Sequence, residues 1–491
     1  MIFYSLTFAL FFAALIMLTH LVKDCKKQHI VFLLANIVFY GYWDVRFLLL
    51  LAAVILICYY GANLYETNQN RVFITIPVVT CLGVLGICKY LNFFIDSFCE
   101  AFNISGIHTL QIILPLGISF YLFQAMSYLF DVKKGTISAE KDFIKLATYI
   151  SFFPQITSGP IVKAHDFLPQ LDRVHRIKKS NVYEGIQLFV LGLTKKVVFA
   201  DRIGVAVNAV YSAPLAYNNI SIFWAIIGYS LQIYCDFSGY SDMAIGIAKV
   251  LDFDLGKNFD LPYLARNPSD FWRRWHISLS SWFRDYVYIP LGGGRAGKEK
   301  TYRNLFVTML LSGIWHGANW TFIVWGVLHG VGSAVHKIFR DIKGKADKRT
   351  NPAVSFICIV GNCIFVALLW VVFRATDMGQ AMEVLSGLFR MTGITYINVY
   401  VVIYFVIIAV VHILGAIKNN GHAFEVKLDL DTFKGQFILF TWIFLIIAFM
   451  YVGDSCLSTH SFKYCRPMGG CHPNQQPSRG GWWAYENTAD G

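Results

Sequence analysis

Hydrophobic positions along this chain neither alternate nor recur on one face; they persist as long runs. Such runs occupy residues 2–19, 30–42, 47–63, 72–88, 110–130, 184–200, 221–235, 304–315, 319–335, 354–373, 397–415 and 435–452. At 1.5 Å of rise per residue, each crosses or nearly crosses a hydrocarbon layer of about 30 Å as a helix. Three further runs, 145–162, 237–251 and 271–289, are short or interrupted, which predicts re-entrant or interfacial pieces. The expected fold is an all-α polytopic membrane protein of about eleven transmembrane helices with re-entrant and interfacial helices between them.

The pattern ends near Val452. The segment 453–491 is polar, rich in glycine and proline, and without periodicity. It is expected to be disordered and without a catalytic role; the alternatives are an ordered extension with Cys465 and Cys471 paired, or a non-native appendage outside the fold. No polar linker long enough to separate folded units interrupts residues 1–452, so these are expected to form one membrane-embedded domain.

Composition agrees with the pattern. The chain is 56% hydrophobic and 15% charged, with mean hydropathy +0.52, whereas soluble domains carry roughly 25% charged residues. The opening MIFYSLTFALFFAALIMLTH has no basic segment before its apolar core and no small-residue cleavage site, so it reads as a first membrane helix that stays attached. The net charge of +12 gathers in VKDCKKQH (22–29), DRVHRIKKSN (172–181), Arg266 to Arg303, and HKIFRDIKGKADKR (336–349). These segments are expected to face the cytoplasm. Basic and aromatic residues are not interleaved as a nucleic-acid surface requires, so membrane lipids, and not nucleic acid, are the expected surroundings. The eleven cysteines show no CxxC metal spacing, and no metal is expected. Cys58, Cys81, Cys88, Cys235, Cys358 and Cys363 lie in apolar runs, where free cysteine packs as a small hydrophobe.

Candidate chemistry lies where polar groups interrupt the apolar background. In LLSGIWHGANW (310–320), His316 lies between tryptophan and glycine, and a titratable group at membrane depth is costly unless it serves a pathway or a reaction. Gly313, Gly317 and Asn319 predict a broken or re-entrant helix start, tolerated only against protein or a water-filled cavity. His316 there suits a general base activating a hydroxyl, with a hydrogen-bonded core histidine as the bland alternative. One continuous helix would put His329 about 20 Å away, toward the cytoplasmic end.

NPSDFWRRWHISLSSWFRDYVYIPLGGGR (267–295) spaces Phe271, Trp275, Leu279 and Trp282 helically and punctuates them with Arg273, Arg274 and Arg284. It reads either as an interfacial anchor or as a rim whose guanidinium forks hold the phosphates of a donor such as an acyl-coenzyme A. PLGGGR lacks the spacing of a nucleotide-binding loop. His276, inside this segment, is an anchor with a supporting role at most on residue type alone. In YCDFSGYSDMAIG (234–246), Asp236 and Asp242 are expected to pair with Lys195, Lys196, Arg202 or the Arg273 and Arg274 cluster; Asp236 could also orient a histidine.

Taken together, SFYLFQAMSYLFDV, SFFPQITSGPIVK, YCDFSGYSDMAIG, the 267–295 segment and LSGIWHGANWTFIVWGVLHG resemble the membrane-bound O-acyltransferase family, most of all its bacterial alginate O-acetylation branch. The motifs span about residues 110–335, and the hydropathy pattern extends the resemblance from residue 1 to about 452. It implies a central funnel, with His316, His276 and Asn319 at the catalytic centre. Arg273, Arg274 and Arg284 would hold the donor, and His329, Asp236 and Trp315 would support the site. It further implies no tightly bound cofactor; acyl-coenzyme A, as acetyl-coenzyme A, or another acyl thioester serves as donor substrate.

The acceptor implied is a hydroxyl of a cell-surface polysaccharide, reached directly or through an extracytoplasmic acetyltransferase or hydrolase-like partner. The implied location is the bacterial inner membrane, crossed many times. D-alanyl transfer to teichoic acid is the nearest alternative. A transporter or flippase using the same funnel is the rival class; it predicts inverted internal repeats, and the sequence shows none.

Overall fold

A computed structural model describes residues 1–104, 110, 112–295, 297–343, 351–418, 422–423 and 428–460. The tail after His460, with Cys465 and Cys471, lies outside the described residues. The architecture is helical, and the described residues contain one isolated bridge, between Tyr217 and Ile394, and no strand. The last helix, Phe433–His460, continues past the boundary expected near Val452.

Among the described residues, six helices are long and apolar enough to cross a membrane: Arg46–Asn68, Val72–Phe102, Asn219–Val250, Trp320–Ile342, Pro352–Arg374 and Val399–Ile417. Leu6–Leu21 and Phe433–Phe449 are shorter apolar helices. These helices leave the expected count of eleven unconfirmed, and several runs depart from their expected bounds. Runs 221–235 and 237–251 fuse into one 32-residue helix, because Lys196 neutralises the intervening Asp236 across an ion pair of 2.9 Å. The run 110–130 begins its helix only at Ile118, after Gly117 in a left-handed conformation. The run 145–162 divides at Phe152 into Phe143–Ser151 and Phe153–Ile156. The run 72–88, by contrast, continues through a π-turn, Gly86–Tyr90, as far as Phe102.

Small residues set the packing. The helix Lys179–Leu193 lies against Asn219–Val250 through Gly185 with Gly246 and Gly192 with Gly239. A Cβ on any of the four would come within 2.7 Å of the opposing glycine carbonyl. Close backbone approach of this kind drives helix association where lipid is as apolar as the side chains. Cys25, Cys58, Cys81, Cys88, Cys99, Cys235, Cys358 and Cys363 are free.

The basic segments meet in two groups. Gln28 donates to the His175 carbonyl at 2.9 Å and accepts from the His175 amide at 2.8 Å, joining 22–29 to 172–181. Lys178, Asn181 and Arg173 converge on Asp252, just beyond the long helix. Tyr302 bonds Asp341 at 3.1 Å, joining the start of the helix Lys298–His316 to the end of Trp320–Lys343.

Segment 267–289 departs from the expected interfacial helix. It forms two short helices, Pro268–Arg274 and Ile277–Phe283, kinked at His276, whose φ is 43°. The kink turns Phe271, Trp275, Leu279 and Trp282 into the protein, where all four are buried. Helical spacing of aromatics is the same for a protein-facing and a headgroup-facing surface, so periodicity did not distinguish the two.

Candidate active site

His316 is the last residue of the helix Lys298–His316, and Gly317 follows in fully extended backbone. The chain re-enters a helix at Trp320. Asn319 caps this start, its side-chain oxygen accepting from the Thr321 amide at 3.0 Å, while its amide group donates to the Thr376 carbonyl at 2.7 Å. Both ends of the Asn319 side chain are thereby engaged in shaping the break.

The two helices form a tight hairpin. Gly313 faces Gly326, and a Cβ on Gly313 would stand 2.5 Å from the Phe322 carbonyl oxygen and 2.8 Å from the Gly326 Cα. At Gly317 a Cβ would meet the Phe322 ring at 2.3 Å. The folded-back geometry overturns the separation expected for a continuous helix. His316 and His329 flank the indole of Trp325, at 5.1 and 4.7 Å between ring centroids.

Aromatic rings wall the His316 imidazole edge-on: Trp315 at 5.0 Å, Trp325 at 5.1 Å and Phe373 at 5.2 Å. Neither of its ring nitrogens has a hydrogen-bond partner among the described residues. Trp315, itself buried, also faces the His276 ring at 6.4 Å. The hairpin and the kinked segment thus bring His316 and His276 to one indole.

His276 is held by Asn258. The Asn258 side-chain oxygen accepts from the Ser278 amide at 3.3 Å and the Ser278 hydroxyl at 2.9 Å, and lies 3.1 Å from His276 Nδ1. The Ser278 backbone N–H can only donate, which identifies that atom of Asn258 as oxygen; its amide nitrogen donates to Ser241 Oγ at 2.9 Å. His276 Nδ1 therefore carries the hydrogen, and Nε2 presents a lone pair. The partner of one imidazole nitrogen sets the role of the other.

The remaining site candidates spread around this centre. His329 is completely buried, both ring nitrogens lack partners among the described residues, and Trp272 and Phe365 stand beside it at 5.0 and 5.6 Å. Asp236 and Asp242 form the expected ion pairs, with Lys196 at 2.9 Å and Lys195 at 2.6 Å. The three arginines differ. Arg274 donates to Asp270 and to the Asp260 carbonyl, each at 3.2 Å, and Arg284 forms a two-pronged pair with Asp285 at 2.7 and 3.1 Å. Arg273 is exposed, with no hydrogen bond or ion pair among the described residues.

Two groups escaped the sequence reading. Asn258 lies 18 positions before His276, and no periodicity links the two. Lys89 and Tyr90 reach the end of the His316 helix, with Lys89 Nζ donating to the Trp315 carbonyl and the Tyr90 hydroxyl to that of Ile314. A lysine beside an apolar stretch is a visible signal, but the apolar run ends at residue 88, one position before it.

A helical, multi-pass membrane protein with two histidines converging on one indole at a broken hairpin has the form of a membrane-embedded enzyme. The chain belongs to the membrane-bound O-acyltransferase family, whose model matches residues 1–373. It is 36% identical over 400 residues to a probable alginate O-acetylase AlgI of Azotobacter vinelandii, covering 79% of this chain and 78% of that protein. It is also 36% identical to a peptidoglycan O-acetyltransferase of Helicobacter pylori, over 74% of each chain. A teichoic acid D-alanyltransferase of Bacillus subtilis is 29% identical over 46% of this chain and 59% of its own length. The protein is an O-acyltransferase of the membrane-bound family, close to the alginate and peptidoglycan O-acetyltransferases.

Proposed function

We propose that the protein moves an acetyl group from acetyl-coenzyme A, or another acyl thioester, to a hydroxyl of a cell-surface polysaccharide, directly or through an extracytoplasmic acetyltransferase or hydrolase-like partner. The enzyme resides in the bacterial inner membrane, and the donor approaches a central funnel from the basic, cytoplasmic face. The observation that carries this reading is the meeting of His316 and His276 at Trp315, with His276 Nε2 left as an acceptor by Asn258. His316 takes the proton of the acceptor hydroxyl as its oxygen attacks the thioester carbonyl. The carbon–sulfur bond breaks, the departing thiolate takes up a proton, and an ester remains. His276 holds the acceptor or shares its proton, and Asn319 maintains the break on which His316 sits. Arg273, with its guanidinium uncommitted, meets a donor phosphate, while Arg274 and Arg284 shape the rim. Acetyl is favoured over D-alanyl because the acetyltransferase relatives match more of the chain at higher identity.

The test uses the full chain in membranes, radiolabelled acetyl-coenzyme A, and alginate oligomers or peptidoglycan fragments offered in parallel. General-base catalysis is worth roughly 10²–10⁴-fold, so His316→Gln, which keeps size and hydrogen bonding but not basicity, is expected to lose that much with unchanged expression and melting. Wild-type turnover in His316→Gln refutes the assignment. Arg273→Ala is expected to raise the KM for the donor, and unchanged donor kinetics would return Arg273 to an anchoring role.

A further inference from the structure

A lysine in the middle of a membrane-spanning helix calls for an explanation, since charged groups at that depth are costly and serve a function. Lys89 occupies this position in the span Val72–Phe102. It lies on the π-turn Gly86–Tyr90, and π-turns inside α-helices occur frequently at functional sites. By taking in an extra residue, the turn brings neighbouring side chains closer to one face, and Lys89 and Tyr90 both reach the same target.

That target is the C-terminal end of the helix Lys298–His316. The last four carbonyls of a helix have no partner within it. Here Gly317 is extended and the chain folds back at once, so those carbonyls need partners from elsewhere. Lys89 Nζ donates to the carbonyl of Trp315 and the Tyr90 hydroxyl to that of Ile314, the two residues immediately before His316. The ammonium also lies 5.6 Å from the centre of the Trp315 ring. A cation at a helix C-terminus is favoured by the helix dipole, and the Trp315 carbonyl belongs to the peptide unit that carries His316.

We infer that Lys89 and Tyr90 are positioning residues for catalysis: the π-turn of one span clamps the end of the helix bearing His316 and so fixes where its imidazole stands. The inference rests on the proposed role of His316, and its test includes a measurement that needs no acyl transfer. Lys89 does not meet the substrate; it acts through the backbone. The clamp also explains why the hairpin can end in an extended glycine without its terminal turn unravelling.

The experiment compares wild type, Lys89→Met, Lys89→Arg and Tyr90→Phe as full-length protein in lipid nanodiscs. Carbethoxylation of His316 by diethylpyrocarbonate, followed by mass spectrometry with His276 as internal reference, reports how firmly His316 is held. Acetyl transfer from acetyl-coenzyme A to alginate oligomers reports catalysis. Lys89→Met is expected to change the His316 modification rate relative to His276 and to lower kcat by about 10- to 100-fold, the scale of a misplacement near 1 Å, with the donor KM within about twofold. Lys89→Arg, which retains a cationic donor, is expected to restore most of kcat, and Tyr90→Phe to fall between. An unchanged His316 to His276 ratio in Lys89→Met overturns the inference, whatever the activity. So does a loss of kcat that tracks a lowered melting temperature and is not rescued by arginine. If wild type transfers no acetyl while the modification ratio shifts as expected, the proposed reaction fails and the clamp stands.

Discussion

Gly313→Ala sets two effects of opposite sign against each other. Gly313 lies inside a helix, where alanine is intrinsically better by about 1 kcal/mol. The new Cβ, however, would stand 2.5 Å from the Phe322 carbonyl oxygen, 2.8 Å from the Gly326 Cα and 3.0 Å from the Gly326 nitrogen. All three are backbone atoms and cannot rotate away. Recovering the 3.5–4.0 Å of optimal carbon contact means parting the two helices by roughly 1 Å. Overpacking of this kind costs about 1–3 kcal/mol, so sterics outweigh propensity and the variant is expected to melt lower. Function should suffer more than stability, because the helix pushed away carries Trp325, the indole between His316 and His329. A shift of that size can cost roughly 10²-fold in rate. Gly361, in the helix Pro352–Arg374, is the control, because a Cβ there meets nothing within 4 Å; Gly361→Ala is expected to be neutral or stabilising. Melting temperatures in detergent and acetyl transfer in nanodiscs measure both effects. A Gly313→Ala protein that melts at or above wild type with unchanged turnover would refute the argument.

Asn258→Leu removes the acceptor shared by His276 Nδ1 and the Ser278 hydroxyl and takes the donor from the fully buried Ser241 hydroxyl, and a buried orphan costs about 1–3 kcal/mol; it is expected to lower both melting temperature and kcat, while Asn258→Asp, which keeps an acceptor oxygen, retains more turnover. Equal turnover in Asn258→Leu and wild type would show that the His276 tautomer does not matter to the reaction. On the basic face, burial works against ionisation of Asp252, but Lys178, Arg173 and Asn181 prevail and hold its carboxyl below the ordinary aspartate range. A depressed carboxyl stabilises the fold above its unfolded pKa, and the contribution is lost as pH falls through the folded value. The melting gap between wild type and Asp252→Asn is therefore expected to be full at pH 7 and to shrink below about pH 3.9. A gap independent of pH would refute the ion-pair account.

Residue order alone determined the class of this protein. Long apolar runs at 15% charge leave no fold but membrane helices, because backbone polar groups in lipid must be satisfied within the segment. The motif around His316, the break at Gly317 and Asn319, and the pairing of Asp236 and Asp242 with the neighbouring lysines were also legible, since each is a local violation of an apolar pattern. Tertiary structure alone decided how those pieces meet. That 237–251 continues the helix of 221–235, and is not a separate re-entrant piece, goes with Lys196 reaching Asp236, a contact across helices that hydropathy does not register. The distance between His316 and His329 depended on Gly313 and Gly326 permitting a hairpin; the partner of His276 came from Asn258, and the groups that hold the helix end just before His316 came from Lys89 and Tyr90, all remote in sequence. Local sequence records which groups cannot face lipid. Which group satisfies which is settled only when helices close to backbone contact, because hydrogen bonds and ion pairs act over about 3 Å, whatever the separation along the chain.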